Sequence, residues 1–173
     1  MNKAAIEREI ESRCRTAINY SSYRCAFFFK LNIALCFLSL ISLWCSGFVF
    51  KGGYEIIAMI LNVAGSLLLI LDVILNLLGC YASWKSMHDG YESFLSEFTK
   101  IHITASVADL QNLLARFFDY DKRCHATYYA LGLIAWNDTC VQMGKPQCVK
   151  KVPWYKRLTA NVLSWGSVAS NFK

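Results

Sequence analysis

The chain has 173 residues, of which 55% are hydrophobic and 17% charged, and its mean hydropathy is positive. Ordinary soluble domains carry fewer apolar and more charged residues, so this composition disfavours a small soluble protein and favours a membrane protein. The net charge of +6 does not indicate a nucleic-acid-binding protein, because the basic residues are divided between two segments that flank the apolar part of the chain.

Residues 1–29 predict a cytosolic amphipathic helix. Small or apolar side chains recur there at steps of three and four, with charged residues between them: Ile6, Ile10, Cys14, Ala17 and Ser21. The segment is too polar for a secretory signal, and no small-residue cleavage site follows it. We therefore expect the next apolar run to stay in the protein as a membrane anchor.

Two apolar runs predict two transmembrane helices, at residues 30–50 and 56–84. The 20 residues from Leu31 to Phe50 carry no formal charge, and at about 1.5 Å per residue they span the roughly 30 Å hydrocarbon core of a bilayer. The second run is broken only by Asp72, and we expect it to continue beyond the bilayer as one helix. Residues 51–55 contain paired glycines and predict a tight turn, which makes the two helices an antiparallel hairpin.

The basic residues predict the orientation. Residues 1–30 hold six basic and three acidic residues, and residues 85–173 hold eleven basic and seven acidic residues. At the predicted turn the opposite charges of Lys51 and Glu55 cancel. Positive charge flanks both spans on one side, so we expect both termini in the cytoplasm and the chain in an inner or plasma membrane.

The cysteines and histidines predict no metal site. None of the eight cysteines forms a Cys-x-x-Cys pair, and their spread through apolar and polar segments favours reduced, packed thiols. Cys124 and His125 are adjacent and poorly placed to share one zinc ion.

Residues 85–173 predict a cytosolic helical domain. Its first helix presents Tyr91, Phe94 and Phe98 on one face, Thr104 or Ser106 can cap the next, and a third is expected from about Lys122 to Gln142. Pro153 begins a last short helix with four apolar residues on one face: Trp154, Leu158, Val162 and Trp165. No alternating pattern predicts a strand, so the fold class is an all-α membrane protein.

A stripe of polar and small residues follows the second predicted span. Steps of three and four connect Asn62, Gly65, Leu69, Asp72, Asn76, Gly79 and Ser83. The first span has a weaker stripe of Asn32, Cys36, Ser39, Leu43 and Ser46. Folding the hairpin about residue 53 places Lys30 and Asn32 at the depth of Asp72 and Asn76, so these four side chains could meet.

Two interpretations of the stripe remain open. Small and polar residues form the seams at which membrane helices pack. Alternatively, several copies of the second helix surround a pore, because intramembrane acids usually face a bundle interior or water. The candidate pore-lining residues are Asn62, Gly65, Asp72, Asn76, Gly79, Asn32 and Lys30. One hairpin cannot hide a stripe of this length, so we expect a homo-oligomer of four or more chains in which Tyr91, Phe94 and Phe98 assist assembly.

The layout resembles the SLATT proteins, two-span membrane effectors of prokaryotic conflict and antiviral defence systems. The matching details are Arg15 and Arg24 before the first span, the segment Tyr91-Glu92-Ser93-Phe94-Leu95 after the second, and Ala135-Trp136-Asn137 late in the chain. The resemblance covers nearly the whole chain and rests on layout more than on a sharp motif. It implies a pore-forming effector that kills or arrests an infected cell and is often encoded beside a nucleotide-signal synthetase or sensor. The role of Asp72 is not carried over from that family.

Other functions stay open. A non-conducting membrane adaptor would use the cytosolic helices to bind a partner protein, and a holin-like protein would permeabilise a membrane with few spans. An enzyme is least expected, because the sequence holds no phosphate-binding glycine loop and no nucleophile elbow, and we predict no cofactor. The densest basic cluster is Lys150, Lys151, Lys156 and Arg157. Lipid contact, an anionic ligand and solvation are compatible with this cluster, and solvation is favoured.

Overall fold

The computed structural model describes residues 2–122 and 128–162, and all regular structure within these ranges is helical. The elements are α1 (Lys3–Lys51), α2 (Glu55–Leu75), α3 (Leu77–Ile101), α4 (Val107–Asp121), α5 (Tyr129–Gln142), a 3₁₀ turn (Pro146–Cys148) and α6 (Trp154–Thr159). The chain divides into two compact units. The bundle unit consists of Met1–Arg24 and Trp84–Lys173, and the apolar unit consists of Cys25–Ser83. The all-α prediction is confirmed for the described residues.

Among the described residues, two helical stretches are long and apolar enough to cross a membrane. They are α1 and the stretch Glu55–Ile101, which comprises α2 and α3. Only 11% of the most apolar window of each stretch is buried, whereas a core helix of a soluble protein is mostly buried. Length, composition and this exposure together support a membrane protein.

The sequence predicted that the second apolar run forms one uninterrupted helix, but the structure interrupts it. Asn76 ends α2 with φ 47° and ψ 48° in the left-handed region, which asparagine tolerates better than most residues. The carbonyl of Asn76 accepts the first hydrogen bond of α3 from the Cys80 N–H at 2.9 Å. The interruption is therefore one residue long. A Cβ on Gly79 would overlap with the Asn76 side chain, so the glycine leaves room for it.

The turn between α1 and α2 is shorter than predicted. It comprises Gly52–Tyr54, since α1 continues to Lys51 and α2 begins at Glu55. Gly53 has φ 81°, a conformation that side chains with a Cβ rarely adopt.

The bundle unit has a core in which α1, α3 and α4 meet. The face predicted for the start of α1 is confirmed, because Ile6, Ile10 and Cys14 are each 1% exposed. They cluster with six further buried residues: Tyr91, Phe98, Ala105, Leu110, Leu113 and Phe117. Ser106 caps α4 through a reciprocal pair of hydrogen bonds with Asp109.

Polar contacts join helix α5 to α1. The buried Thr139 hydroxyl accepts a hydrogen bond from the Asn19 amide at 3.1 Å and lies 3.1 Å from the Thr16 hydroxyl. The predicted start near Lys122 is wrong, because Tyr128 is extended with φ −73° and ψ 119° and α5 begins one residue later. Cys124, His125 and Trp165 lie outside the described residues.

Candidate functional site

The apolar unit packs α1 against α2 through small side chains. Ser39 and Ser46 of α1 are 0% and 6% exposed, and both belong to the weaker stripe predicted for the first span. A Cβ on Gly65 of α2 would lie 3.1 Å from the Ser39 carbonyl oxygen and 3.1 Å from Leu43 Cγ. Glycine thus permits close approach of the two backbones, as in other membrane helix pairs.

A second contact ties the same two helices together. The Ser42 hydroxyl on α1 donates a hydrogen bond to the Leu61 carbonyl oxygen on α2 at 2.6 Å. A hydroxyl in an apolar environment needs such a partner. Ser42 was not predicted from the sequence, because it lies beside the stripe and no local signal identifies its acceptor.

Asp72 and Asn32 form a polar contact between α1 and α2 in the apolar unit. The Asn32 amide donates to both carboxylate oxygens of Asp72, at 3.0 and 3.1 Å. Both residues are half-buried. The predicted meeting of these two side chains is confirmed. Asp72 lies about 25 Å along α2 from Glu55 at 1.5 Å per residue, so the pair lies near the end of the span that is remote from the turn.

The other predicted polar residues are distributed differently. Lys30 and Asn76 are exposed, and the Asp72 carboxylate takes its hydrogen bonds from Asn32. Gly79 is half-buried beside Asn76, whereas Asn62 is exposed on α2. The predicted stripe therefore divides into residues that face α1 and residues that are open on the surface of the single chain.

The three aromatic residues predicted to assist assembly lie in the core of the bundle unit. Tyr91 and Phe98 are 3% and 7% exposed, and Phe94 is partly buried against the same cluster. Tyr91 donates a hydrogen bond to Asp121 at 2.8 Å. Their role is thus intramolecular in this structure. Helical spacing identifies an apolar face but not the element that covers it. The additional role of these residues in assembly stays a prediction.

Arg24 occupies an aromatic cage in the bundle unit. Its side chain is 6% exposed, and its Cζ lies 5.4 Å from the ring centre of Trp84 and 4.7 Å from that of Tyr128. These are cation–π distances. Its Nη1 donates to the Asn161 carbonyl oxygen at 2.7 Å, which fastens the chain after α6 to α1. No sequence signal joins these distant residues.

Two ionisable groups of α1 are perturbed by their surroundings. Burial, followed by the neighbouring Asp121 charge, raises the pKa of Cys14 to about 12. Burial, followed by a hydrogen bond to Asp138, raises the pKa of Tyr23 to about 12. Both groups therefore stay protonated at neutral pH and act as packed or hydrogen-bonding side chains.

The bundle unit also has a partly open pocket of about 870 Å³. Its lining includes aromatic and basic side chains: Tyr20, Trp84, Trp136, Arg8, Arg13, Lys145 and Lys150. Arg13 is already held by Glu9 at 2.9 Å. The pocket has the size of a small-molecule site.

One group of side chains on α3 has the spacing of metal ligands. Ligand atoms of His88, Asp89 and Glu92 lie within 4.8 Å of one another. Asp89 is 2.7 Å from the Lys85 ammonium, and His88 contacts both Glu92 at 3.3 Å and Ser21 at 3.1 Å. These contacts explain the group as an ion-pair and hydrogen-bond network along one helix.

No protein family, curated protein or solved structure matches this chain. The resemblance to SLATT proteins therefore depends on the sequence pattern alone.

Proposed function

We propose that the protein is a membrane effector whose two spans insert as a hairpin and assemble into a homo-oligomeric pore. The observation that carries this proposal is the exposure of Asn62 on α2. It lies among side chains suited to lipid, because the adjacent Val63 is 54% exposed and the neighbouring Met59 is 63% exposed. An amide that faces lipid without a partner is costly, so a second chain or a water-filled lumen should cover it.

The depth of Asn62 supports this assembly. It lies about 10 Å along α2 from Glu55, within the hydrocarbon region if the turn lies at the membrane surface. Asn76, which is also exposed, would provide a second polar site at greater distance from the turn. We infer that four or more chains pack through this open part of the stripe, with both termini in the cytoplasm.

The bundle unit gives the pore a means of control. It has its own core and is continuous with the spans through α1 and α3. The resemblance to SLATT proteins implies that the trigger is a conflict or defence signal from a separate sensor or nucleotide-signal synthetase.

A non-conducting adaptor is the alternative proposal. The Asn32–Asp72 hydrogen bonds and the close approach at Gly65 satisfy polar groups within one hairpin without a pore. In that function the hairpin anchors the chain and the bundle unit binds a partner protein. A holin-like permeabiliser is the third proposal, and it is favoured least because it does not require a bundle unit with its own apolar core.

Conductance of purified full-length protein in a planar bilayer tests these functions. We expect wild-type currents, and we expect Asn62→Leu to reduce conductance because it removes the open amide. Val63→Leu is the matched control, since it changes a neighbouring exposed side chain without changing polarity. A bilayer that stays tight with inserted wild-type protein, under all voltages and lipid compositions, supports the adaptor instead.

Topology is tested in intact cells, and assembly is tested in detergent and in nanodiscs. A cysteine at Gly52 should react with an impermeant maleimide from outside the cell, as the charge distribution predicts. Mass photometry should give four or more chains per particle. A monomer in both detergent and nanodiscs contradicts the pore.

A further inference from the structure

The partly open pocket of the bundle unit combines a buried aromatic part with an exposed, basic part. Its lining comes from α1, α3, α4, α5 and the segment that follows α5. Buried lining side chains include four aromatic residues: Tyr20, Trp84, Tyr91 and Phe117. Exposed lining residues include Arg8 and Lys150. A pocket with an apolar interior and a few polar groups that fix orientation is typical of small-molecule sites.

The lining carries more positive than negative charge. Four basic and two acidic residues leave a net charge of +2: Arg8, Arg13, Lys145, Lys150, Glu9 and Asp121. Both acids are already engaged, because Glu9 pairs with Arg13 at 2.9 Å and Asp121 accepts a hydrogen bond from the Tyr91 hydroxyl at 2.8 Å. Within residues 2–122 and 128–162, the other three basic side chains form no ion pair. Three positive charges at this pocket are therefore uncompensated.

Two of these three charges lie near the same part of the lining. The pKa of the Cys140 thiol is raised, first by burial and then by Cys148, whereas the charges of Lys145 and Lys150 act to lower it. Such an effect decreases with distance, so both ammonium groups lie near Cys140, which itself lines the pocket. The two lysines can therefore contact one bound group.

The third charge comes from α1. Arg8, Ser12 and Thr16 recur at steps of four and line the pocket, so they share one side of the helix. The Thr16 hydroxyl lies 3.1 Å from the Thr139 hydroxyl on α5, which shows that this side of α1 faces α5. Arg8 thus lies across the pocket from the segment that carries the two lysines.

We propose that this pocket binds a small aromatic phosphate monoester. Its ring packs against aromatic lining residues such as the half-buried Trp136, and its phosphate contacts Arg8, Lys145 and Lys150. A phosphate monoester carries a charge of about −1.5 to −2 near neutral pH, so it matches three uncompensated cations better than a single carboxylate does. The site goes beyond the proposed function, because binding requires no conduction. It assigns a role to Lys150, one of the basic residues for which the sequence favoured solvation.

Equilibrium dialysis of naphthyl phosphate tests the site with full-length protein in neutral detergent. Protein-free micelles correct for partition of the probe into detergent. We expect naphthyl phosphate to bind more tightly than naphthoate, which keeps the ring but carries one charge, and more tightly than inorganic phosphate, which lacks the ring. Equal binding of naphthoate would refute the phosphate assignment, and equal binding of inorganic phosphate would refute the aromatic one.

Charge-removing variants test the cations. Arg8→Gln and Lys145→Gln should each weaken binding of naphthyl phosphate about fivefold to tenfold, because each removes one charged hydrogen-bond donor. Lys100→Gln is the matched control, since Lys100 is exposed on α3 and does not line the pocket, and it should bind like wild type. The same loss in all three variants would indicate a general charge effect and overturn the site.

Protection of Cys148 tests where the probe binds. Cys148 is exposed and lines the pocket. In a chain whose other cysteines are replaced by serine, saturating naphthyl phosphate should slow maleimide labelling of Cys148 several-fold. A Lys100→Cys chain without other cysteines should label at the same rate with and without the probe. Binding that leaves Cys148 unprotected would place the probe elsewhere and overturn the proposal, as would the absence of binding.

Discussion

The two units of this chain are both helical, but the bundle unit buries large apolar side chains in its interior, whereas the apolar unit exposes them on its surface. In the bundle unit, Ile6, Ile10 and Leu110 are at most 1% exposed. In the apolar unit, Phe37, Trp44 and Ile56 are between 64% and 72% exposed. Helix geometry is common to both, so the difference lies in the expected solvent. Water drives apolar groups inward, whereas lipid accepts them on the surface and leaves small and polar residues for the helix contact.

Polar side chains show the same contrast. In the bundle unit, polar groups such as Thr139 and Asn19 join helices beside a separate apolar core. In the apolar unit, hydrogen bonds such as Asn32–Asp72 lie in the helix contact itself. Substitutions should therefore have different consequences in the two units, and the following experiments test that difference.

The largest expected effect comes from removing a buried leucine. Leu110→Ala in the bundle unit should lower the free energy of unfolding by about 2–5 kcal/mol, because it leaves a cavity. Leu67→Ala, at a leucine that is 59% exposed in the apolar unit, should leave the bundle unit unchanged. The measurement is thermal unfolding of full-length protein in detergent. It is monitored by maleimide labelling of the buried Cys14 in a chain whose other cysteines are replaced by serine. Equal effects of the two substitutions would contradict the division between the units.

Adding a methyl group at the helix contact should have the next largest effect. Gly65→Ala places a Cβ 3.1 Å from the Ser39 carbonyl oxygen, and this overlap should cost about 1–3 kcal/mol. Gly47→Ala is the matched control, because its Cβ would meet nothing within 4 Å. The free energies of unfolding of both variants are measured in mixed detergent micelles. A Gly65→Ala protein as stable as the control would show that α1 and α2 do not approach this closely in lipid.

The Asn32–Asp72 contact should give a smaller, coupled effect. Asn32→Leu leaves the Asp72 carboxylate without its donor, so it should destabilise the hairpin more when Asp72 is present than when Asp72 is also leucine. We expect a coupling energy of about 0.6–2 kcal/mol from a double-mutant cycle in detergent. If the effects of the two substitutions on the free energy of unfolding are additive, the two side chains do not interact in the folded protein.

The smallest expected effect is the pH dependence contributed by Tyr23. The folded pKa is raised from 10.0 to about 12, so folding favours the protonated phenol. The stabilisation that Tyr23 contributes to the folded state should be fully present below pH 10 and should decrease as pH rises towards 12. The stability difference between wild type and Tyr23→Phe should therefore shrink over that interval, measured by chemical unfolding. Tyr54→Phe, at a ring that is 63% exposed, controls for loss of a phenol. A difference that stays constant with pH would mean that neither burial nor the Asp138 hydrogen bond raises the pKa of Tyr23 in the folded protein.

Local periodicity determined much of this protein from sequence alone. Steps of three and four predicted the buried face of Ile6, Ile10 and Cys14, because α-helix geometry places such residues on one side. A fixed rise per residue and a tight turn also predicted that Asn32 would meet Asp72. These features depend on distances along helices, which a sequence specifies directly.

The tertiary structure decided which surface covers each face. It placed Tyr91 and Phe98 in an intramolecular core, turned Ser39 and Gly65 towards each other, and left Trp154 exposed. It also interrupted the second apolar run at Asn76. Periodicity marks an apolar or polar stripe but carries no information about its partner. The choice between a core, a helix contact and an open surface depends on packing between residues that are distant in sequence.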